Sequence, residues 1–190
     1  MENARQRISI PGEVKDWRAL VGKIYRLPRF KKPFRFGPFG IEAYEAAAKV
    51  LIPWPDGLLD MKPAWDELPH VGHPLTIELL QRAAKQLTDI AGRRGVIRTN
   101  GFYRPPGTTW GEGYYGDPDG AIDSTDPWGH WRLAIDIAAG ATAATFGVPR
   151  DDVGRMLGNV GLSRPLLAAG EYWHYRANAK EREKWMAKIK

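Results

Sequence analysis

Leu79, Leu80, Ala83, Ala84, Leu87 and Ile90 recur at the spacing of one helical face between Thr76 and Ala91, the best-formed helix in the chain. Pro74 and Thr76 supply its start signals, and Gly92 or Gly95 its end. Arg93 and Arg94 suit the negative end of its dipole. Elsewhere the 21 Gly and 15 Pro interrupt periodic segments, so the remaining elements must be short. That pattern favours a small sheet with a few flanking helices over a doubly wound parallel sheet.

Downstream of this helix, VIRTNGFYRP reads as a strand running into a loop, because a β-branched run is closed by Asn-Gly and Pro. The stretch 105–129, rich in Gly, Pro, aromatics and acids, reads as a long loop lining a cleft. WRLAIDIAAG then reads as a buried strand and PRDDVGRML as a short helix with acids in its first turn. GEYWHYRA reads as an aromatic strand and NAKEREKWMAKIK as a charged terminal helix. The expected class is α+β, with a small antiparallel sheet and flanking helices. Residues 1–70 are expected to form an irregular Pro- and aromatic-rich extension packed on a core formed by 71–190. At 190 residues, one hydrophobic core is the expectation.

The absence of Cys excludes disulfide stapling, thiol catalysis and Cys-ligated zinc, so any metal must be held by His, Asp or Glu. A formal net charge of +6 favours an anionic partner. Arg29, Lys31, Lys32 and Arg35 are interleaved with Phe30, Phe34, Phe36 and Phe39, a pattern that suits nucleic acid; with Pro and Gly breaking its spacing, it is read as a solvated basic face with its phenylalanines tucked into the core. Nucleic acid is therefore not the expected partner, and a monomer is expected. No apolar run reaches the roughly 18 residues of a membrane span, and the N-terminus lacks the apolar stretch of a signal peptide. The expected location is the cytoplasm until release, or a phage particle.

Four histidines, at 70, 73, 130 and 174, allow a complete search for metal chemistry. His70 and His73 read as exposed loop residues near a helix start. His130 stands six residues before Asp136, and Glu171 stands three before His174. Two imidazoles and one carboxylate can hold zinc with a fourth position open to water, leaving another carboxylate free as a base. Six residues of straight strand span about 20 Å, so His130 must stand on a returning loop rather than in line with Asp136. Glu171 and His174 have opposite parity, so they converge only if the strand twists or ends between them. On spacing alone, buried or surface histidines with ordinary partners account for the same residues.

Three motifs in order add to this. They are Asn100-Gly101-Phe102-Tyr103-Arg104-Pro105, then His130 with Ala134-Ile135-Asp136, then Glu171-Tyr172-Trp173-His174. Over about residues 75–176 the chain thereby resembles the zinc D-alanyl-D-alanine carboxypeptidase family, whose wider group includes phage endolysins and lysostaphin-type peptidases. The family usually has seven positions from His to Asp, with a Ser two before the His. Here the spacing is six and Trp128 takes the Ser position. The resemblance implies Zn2+ on His130, Asp136 and His174, with Glu171 as general base and then acid. It also implies Arg104 polarising the scissile carbonyl of a peptidoglycan stem or cross-bridge peptide. Tyr103, Trp128 and Trp173 are the expected substrate-binding aromatics. The competing expectation is a wall-binding or virion structural module that keeps the fold without catalysis.

Overall fold

The computed structural model describes residues 51–62, 70–101, 109–110, 114–115 and 134–188. In chain order the strands are β1 (Ile52–Pro53), β2 (Leu59–Met61), β3 (Val71–Gly72), β4 (Ile97–Gly101), β5 (Thr109–Trp110), β6 (Tyr114–Tyr115), β7 (Ala134–Ile137), β8 (Leu162–Ser163) and β9 (His174–Ala177). The helices are α1 (Pro74–Ala91), α2 (Ala139–Phe146), α3 (Arg150–Asn159) and α4 (Ala179–Lys188), with a single 3-10 turn at Leu167–Ala169. The class is α+β, as the segment order predicts.

Five strands form the main sheet in the order β2-β4-β7-β9-β8, and β1/β3 and β5/β6 form separate antiparallel pairs. Within the main sheet β4, β7, β9 and β8 are antiparallel neighbours, while β2 runs parallel to β4 and makes the sheet mixed. Leu59 and Met61 alternate with Asp60, so this three-residue strand buries two apolar side chains and presents a carboxylate on the other face. Such a brief alternation gives little sequence signal after a Pro-rich stretch.

α1 is the helix the periodicity predicts, beginning two residues earlier, at Pro74, and closing at Gly92 with φ 65° and an amide bonded to the Thr88 carbonyl. Only a glycine adopts that left-handed conformation without strain. Leu75, Ile77, Leu79, Leu80, Ala83 and Leu87 enter the core. Ile90, expected in the same stripe, is 50% exposed, while the neighbouring Ala91 is partly buried against the core.

His73 corrects the expectation of an exposed loop histidine. It is 2% exposed and caps α1, its Nδ1 accepting a hydrogen bond from the Leu75 amide at 3.1 Å. A helix start needs acceptors for its first amides, and a neutral imidazole nitrogen serves as one. Trp185 of α4 meets the ring edge-on at 5.5 Å. His70 is likewise no free loop residue, since it stacks on Trp54 with centroids 4.6 Å apart.

α2 is a helix the sequence reading does not anticipate: AGATAATF is mostly Ala, Gly and Thr and carries no charged residue to mark a solvent face. It is tied to β4 by hydroxyls. Thr142 Oγ1 accepts from the Arg98 amide at 3.0 Å, and Thr145 Oγ1 accepts from the Val96 amide at 3.1 Å. The core lies between the sheet and α1, α2 and α3. It combines Leu59, Ile97, Ile135, Ile137, Tyr175 and Ala177 from the strands with Leu79, Leu80, Phe146, Val153 and Leu157 from the helices. Among the described residues no helix is long and apolar enough to cross a membrane.

Candidate metal centre

Alternation along β7 and β9 sends Ile135, Ile137, Tyr175 and Ala177 to the helices, and therefore Asp136, His174 and Arg176 to the opposite face. The register then decides which of these meet. Asp136 lies directly opposite His174, two strands brought together from positions 38 residues apart. Asp136 Oδ1 and His174 Nδ1 are 3.2 Å apart, with the residues 5% and 1% exposed. Removing a carboxylate from water costs several kcal/mol unless a partner compensates it. The His174 imidazole is one such partner on this face.

A 3.2 Å separation has two physical meanings. A charge-assisted N–H to carboxylate bond prefers about 2.7–2.9 Å, so the pair is a long example of one. Two donors each about 2.0–2.2 Å from a tetrahedral ion stand about 3.3–3.5 Å apart, so the pair is also spaced close to two vertices of a zinc site. The donor types suit zinc: an imidazole nitrogen and a carboxylate oxygen, both buried and 3.2 Å apart.

β9 begins at His174, so the expected strand GEYWHYRA is shorter at its front. Glu171, Tyr172 and Trp173 lie in the turn that leads into it, and the parity objection to Glu171 and His174 falls away because the strand begins between them. The turn is pinned by its backbone. The Glu171 amide donates to the Leu166 carbonyl at 3.1 Å, and the Trp173 carbonyl accepts from the Ile137 amide at 2.8 Å. That second bond fixes the turn to the residue after Asp136. Glu171 is half-buried, whereas Tyr172 and Trp173, in the segment leading into His174, are 56% and 45% exposed.

β4 reaches the same place through an irregularity. Thr99 opposes Ile137, but Gly101 opposes Asp136, so one extra residue of β4 is accommodated between them as a bulge. Without it Gly101 would face Ile135. Thr99, 1% exposed, places its hydroxyl inside the bulge, where Oγ1 donates to the Asp136 carbonyl at 2.7 Å and accepts from the Gly101 amide at 3.1 Å. Sequence reasoning does not single out Thr99, because it looks like one more β-branched strand residue.

On the same face of the sheet Asp60 and Arg98 form an ion pair across the β2/β4 register. Of the eight side chains expected to serve the site, Asp136 and His174 are brought together, and Glu171 and Trp173 lie in the adjoining turn. Tyr103, Arg104, Trp128 and His130 lie outside the described residues, as do the basic segment at 29–36 and most of the loop at 105–129. Among the described residues no group of three or more His, Asp or Glu side chains is gathered as a metal cage; Asp136 and His174 make a pair. Comparison of the chain with protein-family models, with curated proteins and with solved structures finds no match.

Proposed function

We propose that this chain is a zinc-dependent peptidase that hydrolyses stem or cross-bridge peptides of peptidoglycan. The observation that supports the reading is the buried Asp136–His174 pair, set opposite by strand register and spaced near the edge of a zinc tetrahedron. In sequence, His130 is four residues before Ala134 and Arg104 is three after Gly101, so one proposed partner precedes β7, which carries Asp136, and the other follows β4, which pairs with β7.

In this reading Asp136, His174 and His130 hold the ion. Bound zinc would lower the pKa of a coordinated water to about 7 and polarise the scissile carbonyl. Glu171 takes the proton of the attacking water as the new C–O bond forms, and delivers it to the amine nitrogen as the C–N bond breaks. Arg104 donates hydrogen bonds to the carbonyl oxygen as negative charge gathers there. Trp173, with Tyr103 and Trp128, offers apolar surface to the peptide or sugar. The net positive charge suits a polyanionic wall, reached by release from the cytoplasm or on a phage particle.

A second reading rests on the other meaning of the same distance. As a hydrogen-bonded pair alone, Asp136 and His174 stabilise the sheet of a non-catalytic wall-binding or virion module. One experiment separates the two: metal analysis of the purified protein, with digestion of isolated walls in the presence and absence of a chelator. The expected result is near-stoichiometric zinc, lost in His174→Ala, and new peptide termini that disappear with the chelator. Intact walls and no bound metal would leave the second reading standing.

A further inference from the structure

We infer that Thr99 is the positioning residue of this site, setting the place of the Asp136 carboxylate through the backbone of the β4 bulge. The inference rests on the metal reading above and adds to it a residue that touches neither ion nor substrate. In a regular antiparallel ladder the Asp136 carbonyl would accept from amides of β4 alone. At the bulge Thr99 Oγ1 adds a side-chain relay to the pairing: it accepts from the Gly101 amide at 3.1 Å and lies within donating distance of two carbonyls, Asp136 at 2.7 Å and Gly101 at 3.1 Å, the shorter contact being to Asp136. Both ends of the relay are backbone groups of residues that face each other in the register, and the hydroxyl is buried between them.

The Thr99 backbone is itself held. Its carbonyl accepts from the Lys62 amide at 2.9 Å, so the hydroxyl is presented from a strand fixed on both sides. Asp136 is flanked by β9, through its register with His174, and by β4, where Thr99 Oγ1 supplements the strand pairing at Gly101. Groups that orient a metal ligand from outside typically alter metal affinity by 10- to 100-fold when removed. Thr99→Val keeps the shape and deletes the relay. Thr99→Ser keeps the relay.

The test measures zinc affinity of the full chain by chelator competition, together with the visible spectrum of the cobalt-substituted protein. Thr142→Val is the control, since Thr142 makes a comparable buried hydroxyl bond to the neighbouring Arg98 amide but does not touch Asp136. The expected result is a loss of about 10- to 100-fold in zinc affinity and an altered cobalt spectrum for Thr99→Val. Thr99→Ser should restore both, and Thr142→Val should leave both unchanged even where it lowers the melting temperature. If Thr99→Val does not fold, Thr99→Ala, which leaves room for a bridging water, takes its place in the same comparison. Equal affinity and spectra for wild type and the Thr99 variant overturn the inference alone. A wild-type protein that binds no zinc overturns it together with the metal reading.

Discussion

The two faces of the main sheet obey different rules. Toward the helices, β7 and β9 present Ile135, Ile137, Tyr175 and Ala177, side chains whose burial the hydrophobic effect rewards wherever packing is close. Toward the other side the same four-residue strands present Asp136, His174 and Arg176, and the first two are as deeply buried as the core. An apolar face explains itself by stability. A buried acid and imidazole do not, because a hydrophobic pair of similar volume would hold the strands at least as well. The contrast is what the proposed metal reading would account for, and each of the following changes tests it from one side or the other.

The sharpest break compares neighbours. Ile135→Ala should cost about 2–4 kcal/mol of folding stability, read as a shift in the urea midpoint, while zinc binding persists in the folded protein. Asp136→Ala, one residue away on the opposite face, should abolish zinc binding and cost less stability than Ile135→Ala. If the two variants lose metal and stability in parallel, the faces are not separate. Glu171→Gln sharpens the comparison further. Hydrolysis of wall fragments should fall by about 10²- to 10⁴-fold with zinc content and melting temperature unchanged, and undiminished turnover would remove Glu171 from the chemistry.

Smaller effects probe the apolar side. His73→Ala should cost about 1 kcal/mol through loss of the α1 cap, and His73→Asn should recover part of it, because an Asn oxygen also accepts from the first turn. Equal stability of the two variants would mean that the ring's contact with Trp185, not its capping bond, is what matters. Burial raises the Tyr175 hydroxyl above its ordinary 10.0, opposed by the nearby charges of Arg164 and Arg150. The unfolded chain then releases the phenolic proton first. Stability is complete below about pH 10 and falls as pH rises toward the folded value. Tyr175→Phe should flatten this alkaline decline in melting temperature, and an unchanged slope would assign the decline to other groups.

What the residues reveal in advance depends on how local the physics is. α1 is legible because its apolar stripe and its closing glycine lie within one segment. β7 is legible as an apolar run, and α3 by the acids Asp151 and Asp152 in its first turn. α2 is hidden because a helix of Ala, Gly, Thr and one Phe has no charged side to betray its period. The cap formed by His73 is hidden because histidine is an uncommon choice for that position. In the site, a search of the four histidines finds His174 and its acidic neighbours, and the family resemblance groups it with Asp136. Their contact depends on register across 38 residues, which no local pattern encodes. The bulge at β4 is illegible for the same reason, since it exists only relative to the partner strand.

β2 carries a consequence for how the molecule can be cut. Trp54, Leu58, Leu59 and Met61 belong to the same apolar cluster as the helices, and Leu59–Met61 closes one margin of the sheet beside β4. A truncated protein starting at Val71 would forfeit those four anchors and leave a raw row of amides and carbonyls along β4, the kind of border onto which another copy can add. Shortening the chain to begin at Val71 would thus trade a paired sheet margin for a sticky one.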